Sequence, residues 1–168
     1  MEKTDRSIHH ICIAAIKRHT MKPYDFEFTR FYEESTGLKS LFQGMEVDLL
    51  PDELVICSTL IDGENFSVLT TRKLVTKERG NLLSGSIMGA KDKLYGDFKG
   101  NLKKEPITLG AIQLANGIDL RYFIETGRAS MVMVHGVRTS IRTQGMPDEQ
   151  ADKIARIWTR QNNLPGKV

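Results

Sequence analysis

The chain has 168 residues, a formal net charge of +3 and 27% charged residues. A chain of this length can bury a core without disulfides or metals, and its 40% hydrophobic content excludes an intrinsically disordered protein. The small net charge also falls short of the concentrated basic surface of nucleic-acid-binding proteins. We therefore expect a globular protein without a nucleic-acid partner.

The sequence shows no feature of a membrane or secreted protein. No apolar run reaches the roughly 20 residues that span a bilayer, and the N-terminal stretch "MEKTDRSIHH" lacks the apolar region of a signal peptide. Cys12 and Cys57 lie far apart in apolar stretches, which is typical of buried thiols in a reducing compartment. We expect a cytoplasmic protein.

The N-terminal residues 1–44 are predicted to be a helical segment that packs on the body of the protein. Thr4 or Ser7 can cap the first helix, and its C-terminal cations suit the helix dipole. Its apolar stripe is Ile8, Ile11, Cys12, Ala15 and Ile16, and the cations are Lys17, Arg18 and His19. A second helix is predicted to begin near Pro23 and to end at Gly37. One face of that helix would carry Phe28, Phe31, Tyr32 and Ser35.

Residues 45–145 are predicted to form antiparallel strands followed by a closing helix. The runs "LVICSTL", "FSVLTT" and "KLVTK" are separated by short connections, the first of them the turn "DGEN". Further strands are expected near residues 86–88 and 94–98, and Asn116-Gly117 marks a hairpin. The closing helix would begin after Thr126, although "MVMV" at 131–134 leaves a strand open for 131–142. Its helical stripe is Ser130, Met133, Val134, Val137 and Ile141.

A final amphipathic helix and tail are predicted for residues 146–168. Pro147 suits the first turn of a helix, and the apolar face would contain Ile154, Ile157 and Trp158. Aromatic anchors on a terminal helix are typical of protein interfaces, so these three residues are candidates for contact with a partner.

The stretch "FSVLTTRKLV" at residues 66–75 resembles a phrase found in the second and third strands of bacterial pleckstrin-homology-like and GRAM-like domains. The resemblance covers about residues 46–142. It implies a bent seven-stranded barrel closed by a C-terminal helix, and a binding module for proteins or phosphoinositide-type lipids. With the flanking helices, we expect an α+β protein containing an antiparallel β-barrel or a strongly bent sheet.

No constellation of a catalytic or metal site stands out. His9, His10 and Cys12 lie close together, but a zinc site needs three or four converging ligands and no second cluster follows. Both cysteines lie in apolar stretches, which does not suit a nucleophile, and "GSIMGAKDKLYG" lacks the spacing of a phosphate-binding loop. We expect no metal and no cofactor.

Basic residues on the predicted third strand, its turn and the following loop could form an anion-binding rim. Several charge-assisted hydrogen bonds there could hold a lipid head group or another anion. The alternative is a solvated lysine surface that binds nothing. The predicted rim consists of Arg72, Lys73, Lys77, Arg79, Lys91 and Lys93.

The sequence therefore favours a non-catalytic cytosolic binding module that recognises a protein partner. An anionic lipid head group bound at the predicted rim is the alternative ligand of such a module. Two other classes stay open. One is a small enzyme whose site assembles around His135 with Arg138 or Tyr122, and the other is an inhibitor or immunity-type protein. Homo-oligomerisation through sheet edges or the final helix is a further expectation.

Overall fold

The computed structural model describes residues 4–34, 42, 44–102 and 104–144. Within this part of the chain there are two helices and eight strands. Helix α1 spans Asp5–His19, and helix α2 spans Ser130–Gln144 after a single 3-10 turn, Gly127–Ala129. The strands are β1 (Thr29–Phe31), β2 (Val55–Asp62), β3 (Asn65–Thr70), β4 (Lys73–Glu78), β5 (Asn81–Ser86), β6 (Lys91–Leu94), β7 (Ile107–Gln113) and β8 (Asp119–Glu125).

The strands form two antiparallel sheets. One contains β1 to β5 in sequence order, and the other contains β6, β7 and β8. The predicted α+β class with antiparallel pairing is confirmed, but the described strands do not close into one barrel. The strands predicted near residues 86–88 and 94–98 lie earlier in the chain than predicted: β5 ends at Ser86 and β6 ends at Leu94.

The helix predicted from Pro23 is wrong, since residues 29–31 form β1 and pair with β2. Tertiary contacts override the helical spacing of the aromatic residues. The carboxylate of Glu125 accepts hydrogen bonds from the backbone N–H groups of Glu27 and Phe28, at 3.0 and 3.1 Å. The Thr29 and Thr59 hydroxyls also meet at 3.3 Å across the strand pair. Gly37 lies outside the described residues.

The central strands β2, β3 and β4 of the five-stranded sheet are covered on both faces, whereas β5 is largely exposed. One face contributes Ile56, Leu69 and Leu74 to the main core, which includes residues of both helices and of the three-stranded sheet. The other face packs against the segment after β1. This smaller core consists of Phe42, Val47, Val55, Phe66, Val68 and Val75. Both faces are apolar, so the sheet acts as a central layer.

Helices α1 and α2 lie against each other in antiparallel orientation. At one end, the Thr71 hydroxyl donates to Asp5 at the start of α1 (2.5 Å), and the Gln144 side chain donates to the Thr71 carbonyl (3.2 Å). At the other end, His19 meets His135. The helix predicted after Thr126 is confirmed, and it includes residues 131–142, for which the sequence also allowed a strand.

Local features explain both helices. The Thr4 hydroxyl accepts a hydrogen bond from Ser7 N at 3.1 Å, so Thr4 is the N-cap of α1. In α2, Gly136 allows close approach to the sheet, since a Cβ atom there would lie 2.8 Å from the Cys57 sulfur. Among the described helices, neither is long and apolar enough to cross a membrane. The final helix predicted for 146–168 lies outside the described residues.

Candidate functional site

A groove of about 310 Å³ lies between the C-terminal end of α1 and the middle and last turns of α2. Its described lining residues fall on one stripe of each helix, at the three- and four-residue spacings that put side chains on a common face. The stripe of α1 contributes Ala15, Arg18 and His19, and that of α2 contributes His135, Arg138, Thr139 and Arg142. We call this the α1–α2 groove.

The two histidines of the groove are stacked. Their ring centroids are 3.8 Å apart and their planes differ by 7°. Burial, together with the charges of His19, Arg138 and Arg142, lowers the pKa of His135 to about 4. Burial and the charges of Arg18 and Arg138 also lower the pKa of His19. Both rings are consequently neutral at pH 7, because a proton on either one would face cations on both helices.

The arginines of α2 are exposed and lack an acidic partner. Within the described chain, the side chains of Arg138 and Arg142 form no ion pair or hydrogen bond, and no carboxylate lines the groove. Burial and Asp92 raise the pKa of Tyr95 to about 12, whereas the charges of both arginines act in the opposite direction. Tyr95 therefore lies within electrostatic range of both arginines, and its own polar partner is Asp92.

The cost of this arrangement is electrostatic. Like charges four residues apart on a helix destabilise it by roughly 0.2–0.5 kcal/mol. In α1 the cations lie in the last turn, where the helix dipole favours them. In α2, however, Arg138 lies in the middle of the helix, so the dipole offers no explanation for it. An anion in the groove would relieve the repulsion between these groups.

The structure distributes the predicted rim over both sheets and pairs most of its cations. Arg72 contacts Asp5 at 2.7 Å, Lys73 lies 3.5 Å from Glu53, Lys77 lies 3.7 Å from Glu46, and Lys93 pairs with Asp119. Arg79 occupies the β4–β5 turn with a φ of 51°, and Lys91 is exposed at the start of β6. Anion binding at the predicted rim stays a prediction, but its cations are largely neutralised by neighbouring acids.

The candidate residues for catalysis and metal binding do not come together in one site. His135 does lie beside Arg138, but Tyr122 is fully buried in the main core, and its hydroxyl has no hydrogen-bond partner in the described part of the chain. Burial also raises the pKa of both thiols, Cys12 and Cys57, well above the usual value. His9 is buried and contacts the Tyr32 carbonyl at 2.7 Å. Among residues 4–34, 42, 44–102 and 104–144, no three His, Cys, Asp or Glu side chains are grouped to hold a metal.

The sequence suggests His135 with Arg138 as a possible site but does not connect them with the cations of α1. The predicted interface residues Ile154, Ile157 and Trp158 lie outside the described residues. Arg18 and His19 were assigned only to the dipole of α1, and Arg142 was not considered. The available signal was the spacing of Arg18 and His19 on α1 and of His135, Arg138 and Arg142 on α2. Comparison with protein-family models, curated proteins and solved structures found no match to this chain.

Proposed function

We propose that this protein is a non-catalytic binding module, and that the α1–α2 groove binds an anionic group carried by a partner protein. The observation that supports this proposal is the composition of the groove. Five of its seven described lining residues carry basic side-chain nitrogens, and none carries a carboxylate. These five are Arg18, His19, His135, Arg138 and Arg142.

Arginine suits this role because its planar guanidinium is permanently charged and binds carboxylate or phosphate oxygens through two parallel hydrogen bonds. Arg138 and Arg142 are exposed, so an incoming group can reach them. The groove has the volume of a small ligand pocket, at the lower end of the usual range of roughly 300–1,000 Å³. It therefore suits a single charged group better than an extended chain.

Binding explains the groove better than catalysis does. A histidine that acts as a general base needs a nucleophile within hydrogen-bond reach and a group that orients the imidazole. The neighbour of His135 in the groove is the stacked ring of His19, which cannot orient it as a carboxylate would. The one hydroxyl among the described lining residues belongs to Thr139, which is buried.

The proposal can be tested by NMR titration of the isotope-labelled protein with a capped triglutamate peptide. We expect saturable shifts at the amides of residues 15–19 and 135–142. The double variant R138Q/R142Q should lose them, whereas the control R79Q/K91Q, which removes two cations of the predicted rim, should retain them. Both pairs remove two exposed charges, so a general effect of net charge would appear in both.

Other outcomes would contradict the proposal. Shifts that disappear only in R79Q/K91Q would move the site to the predicted rim. Binding to phosphatidylcholine vesicles that contain phosphatidic acid, in the absence of peptide binding, would point to a lipid head group instead of a protein. The absence of any saturable response to peptide or vesicles would remove the support for an anion-binding groove.

A further inference from the structure

The charge and geometry of the groove distinguish between classes of anion. Building on the proposed function, we infer that the group bound in the α1–α2 groove is a phosphate monoester on a partner protein, rather than a carboxylate. Three permanent guanidinium charges line the groove, on Arg18, Arg138 and Arg142. Two of them, Arg138 and Arg142, have no ion-pair partner among the described residues. A carboxylate would bring one negative charge, whereas a phosphate monoester brings about −1.5 to −2 at neutral pH.

The directions from which the donors approach also favour phosphate. Arg138 and Arg142 lie one turn apart on α2, while Arg18 and His19 approach from α1. A planar carboxylate has two oxygens, which one guanidinium can occupy with its two parallel hydrogen bonds. A phosphate monoester has three terminal oxygens around a tetrahedral centre, so donors on both helices can bind different oxygens of the same group.

The stacked histidines add donors that a doubly charged ligand would strengthen. Neutral imidazole offers one N–H donor, and the protonated ring offers two. Protonation of His19 or His135 is opposed by the stacked partner ring and by the surrounding arginines. A dianion beside the rings would offset that repulsion. Carboxylate, with half the charge, offsets less of it.

Many proteins recognise phosphorylated side chains of their partners through clusters of arginines. Here the two clustered arginines are on the surface of a helix pair, where a protruding side chain of a partner can enter. Ala15 is the one aliphatic side chain among the described lining residues, and each of the others can donate a hydrogen bond. Recognition would therefore depend on the charged group itself.

The test uses three capped tripeptides, Gly-Xaa-Gly, in which Xaa is serine, glutamate or phosphoserine. The three probes differ only in the charge and shape of one side chain. In NMR titrations of the full chain, we expect phosphoserine to bind about tenfold more tightly than glutamate, because its charge-assisted bonds are stronger and more numerous. The serine peptide should cause no saturable shifts. R138Q/R142Q should remove the preference, and R79Q/K91Q should leave it unchanged.

The outcomes separate this inference from the proposed function. Equal affinity for the glutamate and phosphoserine peptides, lost in R138Q/R142Q, would overturn the phosphate assignment and leave the anion-binding groove intact. Loss of response to both anionic peptides would overturn both proposals. Binding of phosphatidic acid vesicles without a preference for the phosphoserine peptide would overturn the assignment to a partner protein.

Discussion

The imidazole rings of His19 and His135 are stacked at 3.8 Å, although arginines surround both rings and no carboxylate lines the groove among the described residues. The charged groups that act on the pair are Arg18 from α1 and Arg138 and Arg142 from α2. The pKa of each ring lies below its ordinary value because of burial and of these charges. A bound dianion would offset much of the arginine charge and would therefore raise both pKa values.

Anion binding should therefore take up protons. Sulfate suits the measurement because it remains a dianion throughout the range in which histidine titrates. As the pH falls below about 7, the affinity for sulfate should increase, since the bound form holds more protons than the free form, and the increase should level off near pH 4, where His135 is protonated in the free protein as well. Isothermal titration calorimetry in buffers of different ionisation enthalpy measures the proton uptake directly. An unchanged pH dependence in H135Q would contradict this role of the pair.

Asp5 ties the start of α1 to the β3–β4 turn, and its loss should weaken the fold. Burial alone would raise the pKa of Asp5, but hydrogen bonds from Arg72 and Thr71 and the charge of Arg72 lower it below 3.8. Its carboxylate consequently stabilises the protein at neutral pH, and this contribution is lost as the pH falls through the lowered pKa. We expect D5N to reduce the free energy of unfolding by about 1–2 kcal/mol in urea denaturation at pH 7.

The matched control for Asp5 is D119N. Asp119 pairs with Lys93 where both side chains are nearly half exposed, so this pair should contribute less than about 1 kcal/mol. The deficit of D5N should disappear in strong acid, where the wild-type carboxyl is also neutral. Equal losses for D5N and D119N at pH 7 would show that the Asp5 contacts contribute no more than a surface ion pair.

Gly136 should tolerate alanine only when Cys57 is made smaller. A Cβ atom at Gly136 would lie 2.8 Å from the Cys57 sulfur, which is fully buried and cannot move away. We expect G136A to destabilise the protein by about 1–3 kcal/mol, despite the gain of about 1 kcal/mol in helix propensity. In a C57A background the same substitution should lose this penalty. A double-mutant cycle followed by thermal denaturation measures the coupling, and additive effects would refute the contact.

Glu125 should determine whether β1 stays in the sheet. Its buried carboxylate binds two backbone N–H groups of the segment that leads into β1. Hydrogen bonds to a charged group contribute roughly 1.5–3 kcal/mol, so E125A should destabilise the protein by about 2 kcal/mol or more. Hydrogen exchange should accelerate at residues 27–31. The control E27A removes an exposed carboxyl from the same segment and should leave this exchange unchanged.

Much of the local structure could be predicted from the sequence because its signals are local. The cap at Thr4, the hairpin at Asn116-Gly117 and the apolar stripe of α2 all depend on residues within a few positions of one another. The helix predicted after Pro23 was wrong because the structure of this segment depends on a distant residue. Its aromatic spacing suits a helix, but Glu125, which fixes its extended backbone, lies 98 residues after Glu27 in the sequence.

The groove was missed for the same reason. The stripes of Arg18 with His19 and of Arg138 with Arg142 were each visible in the sequence, but neither is more than a basic helix face by itself. Only the antiparallel contact of α1 with α2 makes one concave surface from the two stripes. That contact depends on apolar residues elsewhere on both helices, such as Cys12 and Val137, which do not identify their partners in the sequence.

The joining of the first and last described helices at one groove also affects when the protein becomes competent to bind. During synthesis α1 is made early, whereas α2 is made only when nearly all the described chain has been synthesised. The groove cannot form before that point. Contacts between such distant segments are slow to form, because a long loop must close before they are made. The groove would thus distinguish a fully folded copy of the protein from any shorter or incompletely folded one.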